Sequence, residues 1–167
     1  MTISGVVAAA GLAGVLLAGE ASAQAARGLA VEGHGGWAGY VDDATIAHAV
    51  IGASARVPIG ERLSLGPEVV FTKGPGEQRN LFLLGSIWFD LVRTTPQTRI
   101  VPYVVAGGGY QRHRDVVAFT SGEGSFTAGG GARVHLNERV YVGADVRVGW
   151  ELHLRTAAHA GVTWPRR

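Results

Sequence analysis

Histidine is the side chain in this sequence that most invites a catalytic or metal-binding role, because imidazole titrates near neutral pH and is a common zinc ligand. The chain has six histidines and no cysteine, which excludes thiolate metal sites, cysteine nucleophiles and disulfides. His135, His153 and His159 share one polar face, but their spacing matches no structural or catalytic zinc site. We therefore expect no metal and no cofactor, and we expect these imidazoles to form hydrogen bonds inside the fold.

Hydrolytic chemistry would need a serine nucleophile, a histidine base and an acid that orients the histidine. Residues from different strands could meet in this way, and the sequence leaves open Ser121 or Ser125 with His113. The string from Gly33 to Ala38 matches G-x-G-x-x-A, but no helix pattern follows it, so a dinucleotide site is not indicated. The sequence predicts that the chain is not an enzyme.

Alternation with a period of two residues is the main structural signal. In residues 126–164 the even positions are almost wholly apolar, whereas the odd positions carry charge, imidazole and glycine. This period is typical of β-strands with two different faces. The pattern is fainter upstream, where residues 81–89 are apolar on both faces and leave their orientation open. The predicted strands are 29–41, 46–58, 62–72, 80–91, 99–112, 124–136, 139–150 and 153–164.

The turn after residue 136 fixes one register. Leu136 and Val140 share a face, so they can pair across a three-residue loop. This pairing sets residue 131 opposite Asp145 and makes Arg133 a diagonal neighbour of Asp145. Asp145 can serve as the partner of Arg133 or Arg155, and Glu68, Glu32 and Glu151 are further candidate partners of these arginines.

Composition and the N-terminal residues indicate an exported protein. Charged residues make up 17% and hydrophobic residues 47%, too apolar for a disordered chain and too weakly charged for an ordinary soluble surface. The net charge is only +2, and no basic stripe suggests a nucleic-acid partner. An apolar run at 6–18 is followed by Ala21-Ser22-Ala23, with Ala23-Gln24-Ala25 as an alternative cleavage site. We predict a cleaved signal peptide at 1–23 and a barrel at 29–164.

The apolar face is predicted to point outward, towards lipid. Strands of about 10 residues, tilted, span the hydrocarbon core of an outer membrane. Aromatic residues near strand ends would form an interfacial girdle: Tyr40, Trp88, Phe89, Tyr110, Trp150 and Trp164. The longer polar segments, 72–78 and 112–124, are predicted to be loops. The polar face would then fill a narrow lumen with a salt-bridge network: Glu32, Glu68, Arg133, Asp145, Arg147 and Arg155.

These features resemble a family of small outer-membrane β-barrel proteins, of the outer-membrane protein A transmembrane-domain type. The resemblance extends to the "outer membrane protein beta-barrel domain" group. It rests on the signal segment, residues 31–37 in the first strand, Ala-Gly-Gly-Gly at 106–109 and 128–131, and residues 140–150. It implies an all-β fold, a single eight-stranded antiparallel up-and-down β-barrel. It also implies a bacterial outer-membrane location and a structural, adhesive or minor pore role.

The resemblance also implies partners and an assembly signal. His159, Gly161 and Trp164 match the family's terminal-strand pattern, although Pro165-Arg166-Arg167 replaces the usual final aromatic residue. The implied partners are outer-membrane lipid, the barrel-assembly machinery and an extracellular ligand at the loops.

Two other functions remain open at this point. A soluble periplasmic lipocalin-like barrel would bind a small ligand in an apolar lumen. A barrel enzyme acting on outer-membrane lipid would be similar to the lipid A deacylases, whose signature places serine two residues after histidine. None of the six histidines here has serine at that position.

Overall fold

The computed structural model describes residues 28–40, 46–76, 78–95, 98–114, 120–150 and 153–165, and these form a closed β-barrel. Each strand pairs antiparallel with the next along the chain, and the eighth pairs with the first. The strands are β1 Gly28–Tyr40, β2 Ile46–Pro58, β3 Leu63–Lys73, β4 Arg79–Asp90, β5 Ile100–Arg114, β6 Thr120–His135, β7 Val140–Gly149 and β8 His153–Pro165. The predicted single eight-stranded up-and-down barrel is confirmed. The predicted signal peptide lies outside the described residues.

The two ends of the barrel differ in their connections. The start of β1 and the end of β8 lie together at the end where β2, β4 and β6 finish, which carries the turns 59–62 and 136–139. We call this the terminal end, and the opposite end, where β1, β3, β5 and β7 finish, the loop end. Among the described residues, no helix is long and apolar enough to cross a membrane.

The turn between β6 and β7 forms as its sequence predicts. Leu136 N–H donates to Val140 O at 2.9 Å, and the Asn137 side-chain oxygen accepts from the backbone N–H groups of Arg139 and Val140, each at 2.8 Å. Asparagine favours such turns because its side chain satisfies backbone donors two and three residues on. The predicted register, with residue 131 opposite Asp145, is confirmed.

The predicted loop at 112–124 is wrong over most of its length. β5 continues to Arg114 and β6 begins at Thr120, with Gln111 opposite Glu123 and Arg112 opposite residue 122. The sequence pattern does not predict this extension of β5 and β6, because polar side chains interrupt the apolar alternation without interrupting backbone hydrogen bonding between the strands. Pairing needs only backbone N–H and C=O groups, so a polar stretch can extend a hairpin beyond the apolar belt.

Large apolar side chains lie on the outside of the barrel and charged side chains lie inside, the reverse of the arrangement in a soluble protein. Ile51 is 65% exposed and Val148 58%, whereas Glu68 is 1% exposed and Arg147 3%. The even-numbered apolar face of residues 126–164 therefore points outward, as predicted. Strand β4, whose orientation the sequence left open, turns its even positions inward and its odd positions outward.

Two of the six predicted girdle residues point into the lumen instead. Trp88 is 1% exposed and lies under Arg56, whose guanidinium carbon is 5.8 Å from the ring centroid. The Tyr40 hydroxyl accepts a hydrogen bond from Asn80 Nδ2 at 3.0 Å. A position near a strand end predicts where along the barrel axis an aromatic residue lies. Whether the residue faces the lumen or the outside depends on its odd or even position within the strand. The other four aromatic residues are exposed: Phe89, Tyr110, Trp150 and Trp164.

Inward-facing glycines lie opposite the large lumen side chains. Gly131 faces Asp145, and Gly143 faces His159. A Cβ atom at Gly131 would overlap the backbone carbonyl of Ala144 and the Asp145 side chain. The two Ala-Gly-Gly-Gly runs meet only at the pair Ala106–Ala128, so they are offset along the barrel and do not lie side by side.

We predict that Gly131→Ala destabilises the barrel by about 1–3 kcal/mol, because the added methyl overpacks a site closed by neighbouring backbone. Gly124→Ala in the same strand is the control, since a Cβ there meets nothing within 4 Å. Urea unfolding of both variants in detergent micelles measures the difference. Equal midpoints would show that the lumen adjusts freely to the methyl group.

Candidate functional site

The centre of the lumen is an ion-pair cluster built on Glu68. Strand β3 places this carboxylate inward near mid-barrel, where its Oε2 accepts from Arg147 Nη1 at 2.8 Å and its Oε1 from Arg155 Nη2 at 2.7 Å. Ser86 Oγ on β4 donates to Oε2 at 2.9 Å. A buried carboxylate needs this compensation, because desolvation of an unpaired charge costs several kcal/mol.

Arg147 links Glu68 to a second carboxylate, Asp145. Its Nε and Nη2 donate to Asp145 Oδ2 at 2.9 and 2.7 Å, and the Tyr103 hydroxyl donates to the same oxygen at 3.2 Å. The predicted pairing of Asp145 with Arg133 or Arg155 is therefore wrong, whereas Glu68, a further predicted candidate, is the partner of Arg155. The candidate Glu151 lies outside the described residues. Residues two apart in a strand share a face, so Arg147 is the nearer cation, and Arg155 turns to Glu68 instead.

A second cluster surrounds Glu32 on the terminal-end side of the first. Ser54 Oγ donates to Glu32 Oε1 at 2.9 Å, and the Tyr141 hydroxyl donates to Oε2 at 2.8 Å. The same hydroxyl accepts from Arg56 Nη2 at 3.1 Å, and Arg56 lies 4.0 Å from Glu32. The Tyr141 hydroxyl thus bridges the Glu32 carboxylate and the Arg56 guanidinium group.

Arg133 forms a third pair, with Asp90. Its guanidinium carbon also lies 4.6 Å from the Tyr103 ring centroid, within cation–π range. Asp90 supplies a fourth carboxylate, so the ion pairs of the described lumen join four acidic and four arginine side chains: Glu32, Glu68, Asp90, Asp145, Arg56, Arg133, Arg147 and Arg155. The formal charges of these eight side chains cancel.

The structure thus brings four of the six predicted network residues into one cluster: Glu68, Asp145, Arg147 and Arg155. Glu32 and Arg133 lie in the two flanking pairs. Sequence reasoning missed Arg56, Asp90, Tyr103 and Tyr141. Parity with Ser54 in the predicted strand 46–58 would have found Arg56. Asp90 could not be found in this way, because its strand is apolar on both faces.

Two cavities flank the ion pairs. A vestibule with a cavity volume of about 50 Å³ lies at the terminal end, beside Arg56 and Arg133. A smaller cavity of about 10 Å³ lies towards the loop end, beside Thr72 and Arg155. A cluster of apolar side chains packs there: Ala38, Val50, Val70, Phe82 and Leu84. The lumen is therefore filled by side chains over most of its length.

The histidines take part in lumen packing. His34 Nε2 lies 3.9 Å from Glu68, and His153 Nδ1 bonds Trp150 O at 2.7 Å. His113 is hydrogen-bonded to the Asn80 amide, and Ser125 is buried. In the part of the chain that the structure describes, no group of three or more His, Cys, Asp or Glu residues could hold a metal ion.

The three residues of the predicted assembly signal are divided between the faces. His159 and Gly161 point inward, whereas Trp164 is 52% exposed. Recognition of these residues by an assembly machinery stays a prediction.

Solved structures share this architecture. Neisserial surface protein A superposes with a TM-score of 0.67 at 16% sequence identity, covering 83% of this chain and 99% of that one. The chain has the fold of the small outer-membrane β-barrels. The N-terminal barrel domain of Pseudomonas aeruginosa OprF gives a TM-score of 0.63 at 13% identity, covering 81% of this chain and 97% of that one. No family model and no curated protein matches the sequence.

We predict that Glu68→Gln destabilises the barrel by about 3–5 kcal/mol, because it leaves Arg155 without its carboxylate. The control is Glu61→Gln, whose exposed pair with Arg93 at 3.3 Å is worth at most about 1 kcal/mol. Denaturant unfolding of the folded barrel in micelles compares the two. A cost for Glu68→Gln no larger than that of its control would contradict a buried network that stabilises the fold.

Proposed function

We propose that the chain is an integral outer-membrane β-barrel protein of structural or adhesive type with a filled polar lumen. The observation that carries this proposal is the outward belt of large apolar side chains around a barrel whose charges are inside. Closed barrels can cross a bilayer because every backbone group in the ladder is paired. The exposed belt supplies the apolar contact with lipid that such a barrel needs.

The apolar belt extends around the barrel. It includes exposed side chains on β1, β2, β3, β4, β5, β7 and β8, among them Val31, Ile51, Val69, Leu83, Val104, Val146 and Leu154. Monomeric soluble proteins rarely expose continuous apolar surface on this scale. A lipocalin-like barrel would have the opposite arrangement, with apolar side chains lining the cavity. Four lumen arginines argue against that alternative.

Exposed aromatic residues border the belt at both ends. Phe89 and Trp164 lie at the terminal end, and Tyr110 and Trp150 at the loop end. Tryptophan and tyrosine favour the membrane interface, because each has an apolar ring and a polar group. Two girdles separated by an apolar band are typical of outer-membrane barrels.

The filled lumen favours a role outside the lumen. With the centre occupied by paired charges, we propose that the barrel is an anchor whose partners are outer-membrane lipid, the barrel-assembly machinery and an extracellular ligand at the loops. Residues 41–45, 115–119 and 151–152 of those loops lie outside the described residues. We keep the prediction that the chain is not an enzyme, since the described partner of His113 is an amide and not an acid.

Cell fractionation tests the location directly. We expect the full chain to sediment with outer membranes, to resist carbonate extraction and to require detergent for release. Unheated samples should migrate faster on a denaturing gel than boiled samples, because a closed barrel stays folded in the detergent. Recovery in the periplasmic fraction without detergent would overturn the proposal in favour of a soluble binding protein.

Two isoleucines provide a matched test of the lipid-facing belt. Ile51 is 65% exposed at the middle of β2, and Ile59 is 54% exposed in the turn at the terminal end. In a bilayer we predict that Ile51→Arg costs about 2–4 kcal/mol and Ile59→Arg about 0–1 kcal/mol, because the penalty for a charge depends on depth. Unfolding from phospholipid vesicles measures both. If water surrounded the barrel, the two variants would cost the same small amount.

A further inference from the structure

Four basic side chains stand on the outer face of the barrel at the loop end. Lys73, Arg79, Arg112 and Arg114 are all exposed and belong to β3, β4 and β5. The register sets Lys73 opposite Arg79, and Arg79 opposite Arg114. Directly opposite residues on one face have Cβ atoms about 5 Å apart. These four residues, which we call the basic rim, therefore form one compact cationic patch across three strands.

Among the residues that the structure describes, the basic rim lacks the carboxylate partners found elsewhere in the barrel. None of its four residues forms an ion pair with another described residue. Glu123 lies opposite the buried Gln111 and so belongs to the lumen face. At the terminal end, by contrast, the exposed Arg93 pairs with Glu61. Like charges placed directly opposite each other destabilise a sheet, so an external anion would stabilise this arrangement.

The surface next to the basic rim is apolar. Phe71 lies opposite Leu81, and Leu83 lies opposite Tyr110, all of them exposed on the same three strands. On the outer edges the neighbouring residues are short: Ala49 faces Lys73, and Gly122 faces Arg112. The exposed basic side chains thus lie next to a surface that fits hydrocarbon chains.

We propose that the basic rim binds the phosphate groups of an anionic membrane lipid whose acyl chains lie along Phe71, Leu81 and Leu83. This inference rests on the membrane location proposed above. Three of the four cations are arginines, whose planar guanidinium groups bind phosphate through paired hydrogen bonds. The adjoining apolar surface favours a phosphorylated lipid over free phosphate, because it provides contacts that only an acylated ligand can make.

Lipid binding can be measured on the full chain folded in zwitterionic micelles. Native mass spectrometry would count bound phosphatidic acid, with phosphatidylcholine as the neutral competitor. We expect Arg112→Gln/Arg114→Gln to weaken phosphatidic acid binding about 30-fold, since each basic residue near an anionic headgroup contributes about fivefold. The matched control, Arg93→Gln/Arg139→Gln, removes two exposed arginines at the terminal end and should change binding less than threefold.

Two further results separate the explanations. Inorganic phosphate at the same concentration should not displace the lipid, and full displacement would overturn the lipid as the source of the phosphate. Binding by the unaltered chain should fall steeply when salt is raised to about 0.5 M, because exposed charges are screened. Insensitivity to salt would overturn the proposal even if the double variant failed to fold.

The failure of this proposal is distinguishable from failure of the membrane assignment. A chain that sediments with membranes and shows the heat-dependent gel shift, yet binds phosphatidic acid and phosphatidylcholine equally, would overturn the basic rim alone. A chain found in the soluble fraction would overturn the location, whatever lipid it bound. Urea unfolding adds a second readout, because phosphatidic acid should stabilise the unaltered barrel but not Arg112→Gln/Arg114→Gln.

Discussion

Charge neutrality inside a narrow, closed barrel is the constraint on which the rest of this structure depends. An eight-stranded barrel has an interior just wide enough for side chains, so a lumen charge meets other side chains rather than bulk water. Each of the four lumen arginines here lies within 4.0 Å of a carboxylate. Removing Glu68 would leave Arg155 without its carboxylate, and the network couples strands that are not neighbours in the sheet, such as β3 and β7.

This constraint acts through glycine as well as through charge. Paired arginines and tyrosines are large, and a lumen of fixed width accommodates them only if opposing positions are small. Gly161 lies opposite Tyr141, and Gly129 opposite Arg147, where a Cβ would overlap the larger side chain or its backbone. The high glycine content, 26 residues in 167, is thus partly a packing requirement of the polar interior. Glycine costs strand stability, and the cooperative ladder of a closed barrel offsets that cost.

The sequence predicted the architecture better than the partners within it. Alternation at period two identified eight strands, and one turn, Asn137 to Arg139, fixed a register that places Asp145 correctly. Partner choice depended on contacts across the lumen, which no single hairpin reveals. Arg155 bonds Glu68 on β3, and Arg133 bonds Asp90 on β4. The orientation of strand β4 was the hardest to predict, because residues 81–89 are apolar on both faces. For that reason Trp88 was predicted on the wrong face and Asp90 was missed.

Charged side chains are paired with opposite charges on the inner face of the strands, whereas like charges lie side by side on the outer face of the same strands. On the lumen face, β3 buries Glu68 between Arg147 and Arg155. On the outer face the same strand ends at Lys73, which lies opposite Arg79 on β4, and Arg79 in turn lies opposite Arg114 on β5. Burial forces pairing inside, because desolvated charges cannot be stabilised by water. At the loop end water or a headgroup is available, so repulsion between neighbouring cations is tolerable and becomes useful where a phosphate can lie among them. The period-two alternation of a single strand thus allows one sequence to specify paired charges in the interior and a cationic rim outside without conflict between them.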